Sequence, residues 1–263
     1  MGTDGQIPLP TEEAIESAEK LYYAIRRAFP EAVTGFESKW TAFQEVCQSQ
    51  TTSASLDVCA QTAEFEALKR LGPKILPLVV FKLARDADQN SYGVILFNAL
   101  ENDRSYRGNP DEPLVSKEVL RRHSSHIVER NHQRNKIYEE RIGLWKEYCW
   151  EHRIHASCAI CTGCEEYFDL VEMGSSIIAH LMVEYFHDRG GYWYELLHEI
   201  VHGRKMGAYM VQRDVLFEEC RQFFNEGEHD HAPKYIPNEW DIYIHTRKMG
   251  PQVREYFRQF DYL

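Results

Sequence analysis

Apolar residues first fall into register after Thr11, where Ile15, Ala18, Leu21, Tyr22 and Ile25 recur at helical spacing, with Thr11 as N-cap and Pro30 as the stop. Trp40, Phe43 and Val46 continue the pattern as a second helix. Phe65, Leu68 and Leu71 lead to Gly72, the signature of a short helix closed by a glycine, and Pro73 starts the next. That helix, over 73–85, presents Ile75, Leu76, Leu78, Val79, Val80, Phe81 and Leu83, is apolar on nearly every side, and is predicted to be central. A polar turn with Asp86, Asp88 and Asn90 introduces an antiparallel partner over about 92–102. Residues 1–10 read as a loose tail, 104–113 as a Gly- and Pro-bearing linker, and 116–150 as one long polar helix. Beyond residue 207, Leu216, Phe217, Phe223 and Phe224 suggest a helix capping the preceding unit, and 240–260 suggests another.

The chain also matches itself. Cys59, Phe65, Leu68, Leu71, Gly72, Ile75, Leu76 and Val79 correspond to Cys161, Tyr167, Leu170, Met173, Gly174, Ile177, Ile178 and Leu181, each pair offset by 102 residues (161 minus 59). After a shortened turn, Tyr92, Leu96, Phe97, Leu100 and Arg104 match Tyr192, Leu196, Leu197, Ile200 and Arg204 at an offset of 100 (192 minus 92). Trp40 and Phe43 precede the first copy as Trp145 and Tyr148 precede the second. One helical hairpin cannot cover its own apolar faces, so the copies are expected to stack. The expectation is an all-α fold: one helical domain over 11–263 with repeat units at about 35–104 and 140–206, a connecting helix over 116–150 and a cap over 207–263.

The run from Glu64 to Leu78, Glu-Phe-Glu-Ala-Leu-Lys-Arg-Leu-Gly-Pro-Lys-Ile-Leu-Pro-Leu, together with Trp193-Tyr194-Glu195-Leu196-Leu197-His198-Glu199-Ile200, resembles HEAT-like helical-repeat proteins of fungi and bacteria. The resemblance covers 53–104 and 155–204. The chain is also similar to the small helical fungal proteins of the norbornene-forming Diels-Alderase kind from the sordarin pathway. That resemblance implies a cofactor-free cyclisation of an apolar polyene or terpenoid.

Composition narrows the readings. A net charge of -11 disfavours nucleic acid, whose phosphates call for clustered Lys and Arg. No apolar run approaches the ~20 residues of a membrane span, and the start of the chain lacks the pattern of a secretory signal. Seven cysteines at low density read as reduced thiols in a cytoplasmic protein. The 13% aromatic content suits either a packed helical core or an apolar pocket.

Among candidate chemistry, His198-Glu199-Ile200-Val201-His202 matches the His-Glu-x-x-His helix of zinc hydrolases, in which the histidines bind metal and the glutamate acts on its water. The matching positions of the first copy are Asn98, Ala99 and Asn102, so packing alone accounts for the helix. Its apolar stripe, Trp193, Leu196, Leu197, Ile200 and Val201, is expected to leave Glu195, His198, Glu199 and His202 on the opposite face. Glu218, Glu219 and the 228–231 loop are open as third ligands. Cys149, His152, His155, Cys158, Cys161 and Cys164 fall at every third residue, a spacing open to zinc or an iron-sulfur cluster, but Cys161 repeats Cys59, which favours buried structural thiols. The segment 117–136 is locally basic, tempered by Glu118 and Glu129, and reads as a solvated connecting helix rather than an anion-binding site.

Three functions follow. The first is a cyclase or isomerase of fungal natural-product chemistry, without cofactor, in which His198, Glu199 and Tyr192 act on a substrate held by Tyr92, Asn98, Asn102, Trp193, Tyr194 and His202. The second is a helical-repeat scaffold for a partner protein. The third is a zinc hydrolase with His198 and His202 as metal ligands.

Overall fold

The computed structural model describes residues 9–49, 56–107, 117–153, 158–206 and 213–233, and among them every regular element is helical. The first pair forms as the periodicity predicts. Helix α1 (Glu12–Ala28) begins where Thr11 Oγ1 accepts the Ala14 N–H at 3.3 Å, and carries Glu12 and Glu13 in its first turn and Arg26 and Arg27 in its last, which suits the helix dipole. It ends at Phe29, and Pro30 opens α2 (Pro30–Ser49), which buries Phe36, Trp40, Phe43 and Cys47.

A short α3 (Leu56–Cys59) leads to α4 (Ala63–Lys69), capped by Thr62 through the Phe65 N–H. Gly72, at φ 76°, breaks the chain in the left-handed region. A 3-10 turn (Pro73–Ile75) then feeds α5 (Leu76–Arg85), in which Leu76, Pro77, Leu78, Val79, Val80, Phe81 and Leu83 are all buried. The short α6 (Ala87–Asn90) occupies the expected polar turn, and α7 (Gly93–Leu100) returns along α5.

The long α8 (Lys117–Glu151) follows, then α9 (Cys158–Cys161), α10 (Glu165–Glu172), a 3-10 turn (Gly174–Ile177), α11 (Ile178–His187), α12 (Trp193–His202) and α13 (Arg213–Glu226). A last 3-10 turn spans His229–His231. The elements recur at the spacings the sequence shows. Helices α3 and α9 start 102 residues apart (158 minus 56), as do α5 and α11 (178 minus 76), while α7 and α12 start 100 apart (193 minus 93). Gly174 repeats the positive φ of Gly72, at 66°. Trp40 and Trp145 are both buried, and each indole donates to the last residue of a one-turn helix: Asn90 Oδ1 of α6 at 3.3 Å and the Cys161 carbonyl of α9 at 2.7 Å. Lys82 of α5 pairs with Glu37 of α2, and Glu184 of α11, 102 residues after Lys82 (184 minus 82), pairs with Lys146 of α8 at 2.5 Å.

The two 3-10 turns touch, and α1 packs against α5, α8 and α11, so both halves share one core. Helix α13 lies on α2 as well as on α11 and α12, bridging the halves. Its C-terminal carbonyls are held by Lys74, a buried lysine whose Nζ donates to the Phe223 and Gly227 carbonyls, the latter at 2.7 Å, and lies 4.5 Å from the Phe223 ring centre. Burial, with Lys39 a lesser cause, depresses its pKa to about 7.

One expectation fails here. The segment 117–136 is not a solvated connector: His123, Ser124, Ser125, Asn131, His132 and Arg134 are buried where α8 packs against α1 and α5. Its basic character is neutralised from inside. Arg134 pairs with Glu101 at 2.7 Å, each side chain 3% exposed, and its guanidinium stacks 3.6 Å from the Tyr106 ring centre. The tail before residue 9, the linker over 108–113 and the helix expected over 240–260 lie outside the described residues. No helix among the described residues is long and apolar enough to cross a membrane.

Candidate functional site

Helix α12 starts at Tyr192, over whose ring the Arg213 guanidinium sits at 5.1 Å. Trp193 is a core residue: it packs edge-on against Trp145 at 5.1 Å, and its indole N–H reaches Asp188 Oδ2 at 3.3 Å. At the far end, Gly203 at φ 69° turns the chain back, which brings the following residues against the helix. Two contacts result. Glu195, 3% exposed, accepts the Met206 N–H at 2.8 Å, and His198, 6% exposed, places Nδ1 2.8 Å from the Arg204 carbonyl.

The face opposite the apolar stripe, which carries Glu195, His198, Glu199 and His202, is covered. Glu195 and His198 are buried and Glu199 and His202 half-buried, because the 204–206 return, α13 and the segment ending at Pro233 close over them. The three residues of the zinc-like motif also part company. His202 Nε2 meets the Pro233 carbonyl at 2.8 Å, and its ring lies 4.6 Å from that of His198. Glu199 instead accepts the Tyr167 hydroxyl of α10 at 2.7 Å.

A carbonyl can only accept, so the neutral His198 ring carries its proton on Nδ1 and the neutral His202 ring on Nε2, which makes His198 Nε2 and His202 Nδ1 the basic nitrogens. This arrangement does not fit the zinc motif. The nitrogens left for a metal differ between the two rings, the glutamate that would activate water faces Tyr167, and no three His, Cys, Asp or Glu side chains among the described residues come together in a way that could hold a metal ion.

The histidines border a narrow apolar cleft. Ile178 and Met182 of α11, Tyr194, Leu197 and Val201 of α12, and Leu216, Cys220 and Phe223 of α13 form its walls, with Met206, Glu219, Ala232 and Pro233 at the edges. About 40 Å³ of it is open, within about 500 Å³ of atom-free space that includes the mouth, so it has room for a few waters or a small apolar group. Burial pushes the Cys220 thiol up to about 12, with Glu219 adding to the effect, so the sulfur is a neutral apolar wall.

Of the residues expected to line one cavity, Tyr194, His198 and His202 border this cleft, whereas Tyr92, Asn98, Asn102, Tyr192, Trp193 and Glu199 do not. Tyr92 is half-buried, its phenol pKa raised by burial and by Cys59 and Cys47. Asn98 is half-buried on α7, and exposed Asn102 donates to Ser175 Oγ at 3.2 Å. Cys220, Met182, Met206 and Pro233 were missed because each belongs to an element whose facing depends on the chain closing over α12. The regular cysteine run is partly internal: Cys161 and Cys164 are buried, Cys149 is half-buried, and burial raises all three thiols, Cys164 to about 11. His155 lies outside the described residues. In comparisons with known proteins, no family model, no curated protein and no solved structure matches the chain.

Proposed function

We propose that the cleft between α11, α12 and α13 binds an apolar small molecule and that the protein is a cofactor-free isomerase or cyclase acting on it. The observation that carries this reading is the pair of histidines at the edge of an otherwise apolar cleft, each held by a backbone carbonyl in a defined tautomer. Apolar walls with a few placed polar groups are the usual form of a small-molecule site. In such surroundings His202 Nδ1 acts as a base: it takes a proton from carbon beside an unsaturated or carbonyl group, and the imidazolium returns it to another carbon of the same molecule. Protons balance, and no cofactor enters. Ring closure of a small unsaturated molecule would draw on the same walls through preorganisation. Glu199, held by Tyr167, anchors α12 to α10, and Tyr192 and Trp193 fix its start.

The recurrence of elements is read as an internal duplication of a HEAT-like hairpin. In this reading the second copy carries His198, Glu199 and His202 where the first keeps Asn98, Ala99 and Asn102. The functional difference between the copies then sits where α13 closes on α12.

Ligand-observed NMR with butan-2-one and isoprene tests the site, using the wild-type protein and Met182→Trp, which fills the cleft. Binding that the substitution abolishes, with the helical circular dichroism retained, supports the reading; equal binding by both proteins overturns it. For the chemistry, exchange of the ketone's α-protons with D₂O is expected to slow by a factor on the order of 10² in His202→Ala. An unchanged rate discards His202 as the base.

A further inference from the structure

Cys149 stands 102 residues after Cys47 (149 minus 47), the same offset that relates Cys59 to Cys161. The two pairs are placed alike. Cys47 lies two residues before the end of α2 (49 minus 47) and Cys149 two before the end of α8 (151 minus 149), while Cys59 and Cys161 are the last residues of the one-turn helices α3 and α9. The partners are 12 positions apart in both copies (59 minus 47, 161 minus 149). Helix α9 packs against α8, and the bond from the Trp145 indole to the Cys161 carbonyl fastens Cys161 to α8 one turn before Cys149. The sulfurs touch: the Cys47 thiol donates to Cys59 and the Cys149 thiol donates to Cys161. Cys47, Cys59 and Cys161 are buried, and Cys149 is half-buried.

We propose that the two thiol pairs are disulfide sites, each able to staple a one-turn helix to the end of the long helix before it, and that the pair of Cys149 and Cys161 is open to a small disulfide from solution. A single helical turn has no stability of its own, so α3 and α9 are held by packing. A covalent link there closes a short loop and restricts the unfolded chain. Burial does not oppose the product, since a disulfide is uncharged. Access separates the pairs: Cys149 can meet glutathione disulfide directly, whereas Cys47 and Cys59 wait for local opening.

The exchange has two steps. The Cys149 thiolate attacks one sulfur of glutathione disulfide, forming a mixed disulfide and expelling one glutathione thiolate; the Cys161 thiolate then attacks the Cys149 sulfur and expels the second. The two thiol protons end on the two glutathiones, so protein dithiol and glutathione disulfide give protein disulfide and two glutathione thiols. Burial first, and the contact with Cys161 second, raise the Cys149 pKa, which makes the opening step slow.

The full chain, held in glutathione disulfide near neutral pH, is sampled over time, alkylated after unfolding, and mapped by peptide mass spectrometry. The expected first product links Cys149 to Cys161 with a loss of about 2 Da, and the link between Cys47 and Cys59 follows later. The linked protein should unfold at a higher urea concentration than the reduced one. Cys161→Ala should stop the reaction at a glutathione adduct on Cys149, and Cys164→Ala should leave the link unchanged. The wild-type map decides the case even where a variant fails to fold. A glutathione adduct that persists on wild-type Cys149, Cys161 joined instead to Cys158 or Cys164, or both thiols still alkylated after prolonged oxidation overturns the proposal. A first link between Cys47 and Cys59, or an unchanged urea midpoint in the linked protein, overturns it as well.

Discussion

The ion pair between Arg134 and Glu101 makes the sharpest claim about stability. It joins the middle of α8 to the residue that follows α7, at 2.7 Å, with each side chain 3% exposed. Glu101 is further tied by its Oε1, which accepts the Asp103 N–H at 2.9 Å, and by its carbonyl, which accepts Arg107 Nε at 2.6 Å. Arg134 Nη1 donates to Asn131 Oδ1 at 3.2 Å. At a charge separation of about 4 Å and an effective dielectric of about 20, the attraction is roughly 4 kcal/mol. Desolvation costs several kcal/mol per ion, so the intact pair is close to neutral in stability.

Removing one member exposes the full penalty of the other. Arg134→Met and Glu101→Leu are each expected to destabilise by about 3–5 kcal/mol, a large part of the 5–15 kcal/mol typical of a folded domain. The double variant leaves no buried charge. It is expected to cost no more than the worse single, a departure from additivity of about 3 kcal/mol. Urea denaturation of the four proteins, extrapolated to water, measures the cycle. Singles that each cost under about 1 kcal/mol, or a double equal to their sum, would refute the buried pair as described.

Three other outcomes are expected. Gly72 and Gly174 share a left-handed φ, but a β-carbon at 72 would sit 2.4 Å from that of His229, whereas nothing lies within 4 Å at 174. Gly174→Ala should therefore cost about 1–2 kcal/mol, and Gly72→Ala about 1–3 kcal/mol more. Hydrogen exchange should rise over 223–233 in Gly72→Ala alone; equal losses at both sites argue against the close approach. His180 is buried, meets Asn135 Oδ1 at 2.9 Å through Nε2, and has its pKa lowered from 6.5 to about 3, by burial first and Arg134 second. The unfolded chain then binds the extra proton, so stability is full above pH 6.5 and is lost as the pH falls toward 3, by an amount on the order of 4 kcal/mol. His180→Phe should flatten that dependence in denaturation measured at several pH values, and an unchanged slope would remove His180 as its source. Tyr167→Phe deletes the hydroxyl bound to Glu199 and should destabilise by about 1 kcal/mol in the same assay.

Much of the fold was legible because helices are written locally. Thr11, Pro30 and Gly72 act on their own turns, so both limits of α1 and the break after α4 follow from neighbours in the chain, while the helix expected from residue 73 opens as a 3-10 turn and is α-helical from Leu76. The 102-residue register is also a property of the sequence alone, and the bounds of α3, α5, α9 and α11 repeat it. Less of the candidate site could be read. The His-Glu-x-x-His spacing places three polar side chains on one helix, yet it is silent on what covers them.

Facing was decided by tertiary structure. Helix α8 is polar in sequence and still runs through the interior, because Glu101 and Tyr106, from the segment after α7, neutralise and stack on Arg134. Glu199 and His202 stand three residues apart, and Tyr167 of α10 engages one while the Pro233 carbonyl engages the other. Periodicity assigns a residue to a side of its helix. Whether that side meets water, a carbonyl or an apolar wall depends on segments distant along the chain, and burial and hydrogen-bond partnership are properties of that assembly.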